Sequence, residues 1–185
     1  MLDFLLQLDK SAFIFINSLP HNLFLDSIFS FFSARSFWAF IWILLAIGYA
    51  FQIGRKNIGI LIALSLAGVL TVITVNLGLK NIVGRLRPID TLPGVVEIGT
   101  HTASGSFPST HAAFSFAAAF ILARVHKKYK FYFYLIAFIV SFSRIYLGKH
   151  FPSDVLAGAL IGILIGYFSL KVSTILASYT KHLLR

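Results

Sequence analysis

The sequence has no cysteine, few charged residues and very few acidic ones. Its 185 residues include no Cys, six Asp or Glu and a single Met. Without cysteine the chain has no disulfides, thiolate metal sites or thiol nucleophile. Charged residues make up 12% of the chain, about half the share in a typical soluble domain. With 58% hydrophobic residues and a mean hydropathy of +0.86, the composition excludes a large soluble domain and predicts a polytopic membrane protein.

The shortage of acidic residues leaves a net charge of +10, with 16 Lys or Arg in the chain. These cations lie between hydrophobic runs. Anionic lipid headgroups or a phosphorylated substrate are therefore the expected counterparts, and nucleic acid is not. The N-terminus also lacks a basic region followed by a small-residue cleavage site, so no cleavable signal peptide is predicted.

Five apolar runs can cross a bilayer as helices once their flanks are included, since a span needs about 20 residues. They are Phe37–Phe51, Ile58–Leu79, Ser109–Val125, Phe131–Leu147 and Val155–Leu170. Two shorter apolar pieces flank Pro20 and predict either an interfacial hairpin or a sixth span. The charges at Asp9 and Lys10 favour the interface, because charge within a span is costly. We expect an all-α membrane helix bundle.

The chain is expected to form one membrane domain over residues 1–185. An N-terminal segment (1–35) precedes the bundle that carries the site (36–171), and a basic cytoplasmic tail (172–185) follows it. Alternating spans place six cations on one side and nine on the other: Arg55, Lys56, Arg124, Lys127, Lys128, Lys130, Lys171, Lys181 and Arg185. Because basic loops stay inside, the nine-cation side is expected to be cytoplasmic.

Three polar clusters then stand at the outward ends of the spans. They are Lys80–Pro88 (KNIVGRLRP), Pro108–His111 (PSTH) and Ser143–Asp154 (SRIYLGKHFPSD). Arg and Lys without matching carboxylates require an anion, and Arg is suited to bidentate phosphate binding. Ser109 and Thr110 open a helix, where free backbone N–H groups also favour phosphate. The clusters predict one phosphate site on the outward face.

The two histidines in these clusters can carry out phosphoryl transfer. One can attack phosphorus while the other protonates the leaving oxygen. Asp154 follows His150 by four residues and can reach back to orient its imidazole, which predicts His150 as nucleophile and His111 as general acid. A cage of cations stabilises the charge that develops on the transferring group. A metal site is not expected, because the same cationic side chains would repel a metal cation.

These pieces closely resemble the motifs of the type 2 phosphatidic acid phosphatase superfamily. They are Lys-x6-Arg-Pro, Pro-Ser-x-His and Ser-Arg-x5-His-x3-Asp, in that order between Lys80 and Asp154. The resemblance implies a cofactor-free, metal-independent lipid phosphatase with a phosphohistidine intermediate. It also implies the roles of the site residues: His150 as nucleophile, Asp154 as its partner, His111 as acid, and Lys80, Arg87, Ser109, Arg144 and the backbone of Thr110 as phosphate ligands. Thr110 departs from the family, which usually has Gly there.

The chain is similar in size to bacterial members of that superfamily that act in the cytoplasmic (inner) membrane. Their substrates are lipid A 1-phosphate, undecaprenyl diphosphate and phosphatidylglycerophosphate, and no residue of the sequence decides among them. Two alternatives remain open. One is a lipid-to-lipid phosphotransferase with the same site, and the other is a transporter or scaffold that binds anionic lipid without chemistry.

Two further patterns concern residues outside the motif positions. Arg85, His101 and Lys149 are interpreted as cationic anchors at the membrane interface, the usual role of such side chains. Gly158, Gly162 and Gly166 recur every four residues in the last span. That spacing predicts close packing against another helix.

Overall fold

The structure is a computed structural model that describes residues 2–34, 47–48 and 55–183. Every regular element within these ranges is a helix, which confirms the all-α expectation for this part of the chain. The α-helices are α1 (Leu2–Asn17), α2 (Leu23–Ser33), α3 (Arg55–Thr71), α4 (Lys80–Val83), α5 (Pro88–Thr91), α6 (Thr110–Val125), α7 (Lys130–Tyr146) and α8 (Pro152–Leu183). A π-helical segment, Val72–Leu79, joins α3 to α4, and a 3-10 turn, Lys127–Tyr129, precedes α7.

Two of the described stretches are long and apolar enough to cross a membrane, namely Ile58–Thr91 and Pro152–Leu176. Helix α6 is also apolar but has 16 residues, and α7 has 17. The predicted span Phe37–Phe51 lies outside the described residues except at positions 47 and 48. Helix α8 continues to Leu183, so the predicted C-terminal tail begins as a helical extension of the last span.

Helix α6 lies at the centre of the bundle and packs against α3, α7 and α8. Its contact with α8 is the most intimate, because glycines remove the side chains of α8 along the shared face. A Cβ added to Gly158 would lie 2.5 Å from the Ser109 carbonyl oxygen, and one at Gly166 would lie 2.7 Å from that of Ala117. A Cβ at Gly162 would lie closer still to Ala113. The predicted close packing of this glycine series is confirmed.

The N-terminal helices pack on the bundle. Helix α1 contacts α7 and α8, and α2 contacts α7. Phe13 of α1 is fully buried, with its ring 5.4 Å from that of Phe151. Asn17, at the end of α1, donates hydrogen bonds of 2.9 Å to the carbonyls of Val96 and Tyr146. These contacts tie the N-terminal segment to the long loop between α5 and α6 (residues 92–109) and to the C-terminal end of α7.

Two tight turns position the predicted site residues at one end of the bundle. Gly84, with φ of +58°, ends α4 and lets the chain turn toward Arg87. Gly148, with φ of +74°, follows α7, and a Cβ there would lie 2.5 Å from the Val96 carbonyl oxygen. Only glycine meets both requirements at that position. This turn directs Lys149 and His150 inward. At this end of the bundle, the ends of α4 and α7 meet the starts of α6 and α8.

Candidate active site

A cavity of about 710 Å³ opens at this end of the bundle. Six of the eight predicted site residues line it: Lys80, Arg87, Thr110, His111, Arg144 and His150. The described residues that line the cavity include no carboxylate. Four cationic side chains face this space, since Lys149 also lines it. Lys149 is paired with Glu97, whereas Lys80, Arg87 and Arg144 form no ion pair within the described residues, which is the arrangement of an anion-binding pocket.

Arg87 is held rigidly at the wall of this cavity. Its side chain is almost wholly buried, and Nε donates 3.0 Å hydrogen bonds to the carbonyls of Thr102 and Ser104. Nη1 donates to the Lys149 carbonyl at 2.8 Å, and Nη2 donates to the Ser104 hydroxyl at 3.2 Å. A guanidinium has five N–H groups. One hydrogen on each Nη atom is therefore left to bind a ligand in a fixed geometry.

Arg144 and His111 are both held by Ser33, at the end of α2. Nη1 of Arg144 donates a hydrogen bond to the Ser33 hydroxyl. The buried Nε of Arg144 has no hydrogen-bond partner among the described residues. The backbone of Ser33 hydrogen-bonds the His111 ring. Helix α2, which sequence reasoning left out of the site, thus orients two of its side chains.

His150 lies against the carboxylate of Asp154. Its ring is 2% exposed, and Nδ1 lies 3.5 Å from Asp154 Oδ2. Asp154 is fully buried, and Oδ2 also accepts a 2.9 Å hydrogen bond from the Phe151 N–H. Burial, followed by the positive charges of Arg144, Arg87 and Lys80, holds the pKa of His150 well below 6.5. The imidazole is therefore neutral at neutral pH, with Nε2 as the nitrogen turned away from Asp154.

Ser109 and Thr110 differ in how they meet the cavity. Thr110 is the first residue of α6 and donates a 2.6 Å hydrogen bond from Oγ1 to Oδ1 of Asn76, in the π-helical segment. This bond fixes the side chain that stands in place of the family's usual Gly. Ser109 does not line the cavity, and its buried hydroxyl has no hydrogen-bond partner in the described part of the chain.

The interpretation of Arg85 and Lys149 as interfacial anchors is wrong. Lys149 is 4% exposed, and its Nζ donates to Glu97 at 2.9 Å and to the Thr100 carbonyl at 3.0 Å. Arg85 donates to Asp154 at 2.6 Å. Lys149 forms a buried ion pair and Arg85 a partly buried one. The local sequence did not indicate these pairs, because each partner is more than 50 residues away.

His101 also pairs with acidic residues and is not an isolated surface side chain. Its side chain is 47% exposed, with Nδ1 3.1 Å from Glu97 Oε2 and Nε2 3.7 Å from Asp90 Oδ1. Glu97 thus pairs with both His101 and Lys149, and these contacts hold the long loop over the cavity. No group of three or more His, Asp or Glu within the described ranges is placed to hold a metal ion.

Comparison with known proteins identifies the family. The PAP2 superfamily profile matches residues 58–176, which include all three motifs. The chain belongs to the PAP2 superfamily. Lipid A 4'-phosphatase of Bacteroides thetaiotaomicron is 31% identical over 173 residues, which cover 88% of this chain and 75% of that protein. The resemblance inferred from the motifs is thereby confirmed.

Two further matches show how far the similarity extends. The bacitracin transport permease protein BcrC of Bacillus licheniformis is 42% identical over 82 residues, which are 44% of this chain and 40% of that protein. The crystal structure of Aquifex aeolicus LpxE matches with a TM-score of 0.73 at 33% identity, over 87% of this chain and 93% of that chain. This PAP2 protein therefore shares the fold of LpxE along most of its length.

Proposed function

We propose that this PAP2 protein is a metal-independent membrane lipid phosphatase that hydrolyses a phosphate monoester or pyrophosphate on a lipid headgroup through a phosphohistidine. The observation that carries this proposal is the cavity in which two histidines converge with Lys80, Arg87 and Arg144, and whose described lining residues include no carboxylate. Its relatives include a lipid A 4'-phosphatase, whose name describes chemistry of this kind.

Phosphate binding is assigned to Lys80, Arg87 and Arg144, together with the N-terminal N–H groups of α6. The two remaining Nη hydrogens of Arg87 and the unpaired Nε of Arg144 supply donors whose positions are set before the ligand arrives. Preorganised donors of this kind stabilise the charge on the equatorial oxygens of the transferring phosphoryl group. The Ser109 hydroxyl, buried and unpaired within the described residues, is assigned to the same set.

The chemical step is assigned to His150 and His111. Nε2 of His150 attacks phosphorus while the bond from phosphorus to the leaving oxygen breaks. His111, which the negative charge of the bound phosphate keeps protonated, donates its proton to that oxygen. Asp154 stabilises the charge that the His150 ring gains. Water then attacks the phosphohistidine, His111 accepts a proton from it, and cleavage of the P–N bond releases inorganic phosphate and restores His150.

The direct test is phosphate release by purified protein in detergent. The His150→Ala variant is expected to release no phosphate, whereas His126→Ala, at the opposite end of α6, keeps the wild-type rate. EDTA is expected to leave the wild-type rate unchanged. Full activity of His150→Ala, or a strict need for an added divalent metal, would contradict the mechanism.

The substrate is expected among bacterial envelope lipids with an exposed phosphate. A panel of lipid A 1-phosphate, undecaprenyl diphosphate, phosphatidylglycerophosphate and phosphatidic acid covers both monoesters and a pyrophosphate. One member is expected to be cleaved at least tenfold faster than the others. Adding an unphosphorylated acceptor lipid tests for transfer, because a phosphotransferase would give a phosphorylated acceptor in place of free phosphate.

We place the enzyme in the bacterial cytoplasmic membrane, with the cavity on the outer side and the C-terminus in the cytoplasm. Support comes from the position of the loop cations. Arg124, Lys127, Lys128 and Lys130 all lie at the end of the bundle opposite the cavity, where the end of α6 connects to the start of α7. Short basic loops of this kind stay on the cytoplasmic side.

A further inference from the structure

Arg85 forms a bridge between two carboxylates behind the cavity. Nη1 donates to Asp154 Oδ1 at 2.6 Å and to the Ser153 hydroxyl at 2.7 Å. Nη2 donates to Asp9 Oδ2 at 2.7 Å. The guanidinium also lies over the Phe151 ring, 4.2 Å from its centroid. Arg85 does not line the cavity, and both of its Nη atoms are engaged by carboxylates.

Asp9 reaches this cluster from α1, far away in the chain. Its side chain is 9% exposed. Oδ1 accepts a 2.8 Å hydrogen bond from the Ser153 N–H, and Oδ2 accepts one of 2.6 Å from the Ser153 hydroxyl. Asp9 therefore fixes both Arg85 and the first turn of α8, the turn that carries Asp154.

The bridge accounts for an ionised carboxylate in a fully buried position. A buried charge without a partner is costly, and removing one member of a buried pair leaves the other uncompensated. Arg85 supplies the compensating charge to Oδ1 of Asp154, while the Phe151 N–H holds Oδ2. With both oxygens fixed, Oδ2 stays directed at Nδ1 of His150, 3.5 Å away.

We propose that Arg85 and Asp9 are positioning residues for the reaction, forming with Asp154 and His150 a continuous Asp9–Arg85–Asp154–His150 chain. This inference rests on the proposed function. It assigns α1 a part in catalysis, since α1 supplies Asp9, the residue of this hydrogen-bonded series that lies farthest from the cavity. It also explains why an acidic residue, Asp9, stands in the first of the two apolar pieces that flank Pro20.

A positioning role predicts a specific kinetic pattern. Asp9→Asn and Arg85→Gln are expected to lower kcat by about 10- to 100-fold, the loss typical when a group that orients a reactive side chain is removed. KM and inhibition by inorganic phosphate are expected to stay within about twofold, because the phosphate ligands are untouched. Arg85→Lys keeps the charge and is expected to recover part of the lost kcat.

The experiment measures kcat, KM and the inhibition constant of inorganic phosphate for these variants in detergent, on whichever panel lipid the wild type cleaves. Asp3→Asn is the matched control, since Asp3 lies on the same helix and is exposed. Thermal unfolding of each variant separates loss of fold from loss of rate. Ser153→Ala, which removes only one hydroxyl of the cluster, provides a milder variant, with an expected fall in kcat of about threefold to tenfold if the cluster orients Asp154.

The outcomes separate the two proposals. A wild type that cleaves no panel lipid overturns the proposed function itself. An active wild type with Asp9→Asn and Ser153→Ala at wild-type kcat overturns the positioning chain alone. Equal changes in KM and phosphate inhibition would likewise overturn it, because they would place Arg85 and Asp9 among the phosphate ligands or in the general structure.

Discussion

His150 is a buried imidazole whose surroundings oppose its protonation. The ring is 2% exposed, and three cations from different parts of the chain act on it. Asp154 lies on its Nδ1 side at 3.5 Å, so the free electron pair available for attack is on Nε2. Burial, together with the cations that we assign to phosphate binding, thus keeps the proposed nucleophile in its reactive, neutral form.

A pH profile tests this consequence. Burial, followed by the charges of Arg144, Arg87 and Lys80, lowers the pKa of His150 well below 6.5. A lowered histidine pKa means that the neutral form persists as the pH falls below 6.5, so the enzyme's acid limb in kcat/KM is expected below that value. Profiles are measured with two substrates whose phosphate groups differ in pKa. A limb that comes from the enzyme keeps its position with both, whereas one that comes from the substrate moves with the substrate's pKa. An enzyme limb at or above pH 6.5 contradicts the assignment.

The Lys149–Glu97 pair predicts how stability depends on pH. Burial raises the pKa of Glu97, but the hydrogen bond and charge of Lys149, with those of His101, outweigh it and hold that pKa below 4.5. An acid with a lowered pKa contributes stability above its ordinary value, and this contribution is lost as the pH falls through the lowered value. Wild-type Tm is therefore expected to fall below about pH 4.5.

Glu97→Gln is the matched variant for that measurement. At neutral pH it leaves the buried Lys149 ammonium without its carboxylate, which is expected to cost about 3 kcal/mol of unfolding free energy. As the pH falls through the lowered pKa of Glu97, the variant and the wild type are expected to converge, because Glu97 becomes protonated in the folded state as well as in the unfolded state. A constant difference between the two proteins from pH 7 to pH 3.5 would count against a charge-based role for the pair.

At the scale of elements, the α6–α8 contact sets the distance between the phosphate ligands and the nucleophile. Helix α6 opens at Ser109 and Thr110, and α8 opens directly after His150. The backbone of Ser109 donates a 2.9 Å hydrogen bond to the Asp154 carbonyl, so the two helix starts are joined. The glycines of α8 make this approach possible by leaving no side chain between the two backbones.

Gly162→Ala is expected to destabilise the protein, because the added methyl group would overlap the Ala113 backbone. Overpacking of this kind costs about 1–3 kcal/mol. Gly59→Ala, in α3, is the control for the same substitution, since nothing lies within 4 Å of its added Cβ. There, replacing Gly by Ala in a helix is expected to stabilise by up to about 1 kcal/mol. Thermal unfolding in detergent measures both, and equal effects at the two positions would refute the packing argument.

How much of the site was predictable follows from how far apart the partners are in the chain. The motif residues Lys80, Arg87, His111 and Arg144 were found because phosphate chemistry restricts residue types at helix ends. The contacts of Asp9 with Arg85 and of Ser33 with Arg144 join residues 76 and 111 positions apart. These pairs depend on how α1 and α2 pack on the bundle. The sequence showed only that a charge in an apolar helix needs a partner, and gave no sign of which one.

At the scale of the whole molecule, the cavity and the basic loop lie at opposite ends of the bundle. The loop that covers the cavity carries exposed residues such as Ala103, and the 3-10 turn at the other end carries exposed Lys128. If basic loops stay inside, the cavity opens to the outer face and receives lipids whose phosphate lies on that side. With the proposed orientation, the substrate is expected in the outer leaflet.

Single cysteines introduced into this cysteine-free chain test the orientation directly. In intact spheroplasts a membrane-impermeant maleimide is expected to label Ala103→Cys but not Lys128→Cys, because only the first residue faces outward. After lysis both are expected to react, which shows that each thiol is accessible. The wild type supplies the background, since it has no thiol to label. Labelling of Lys128→Cys alone in intact spheroplasts would reverse the orientation and place the phosphatase reaction on the cytoplasmic leaflet.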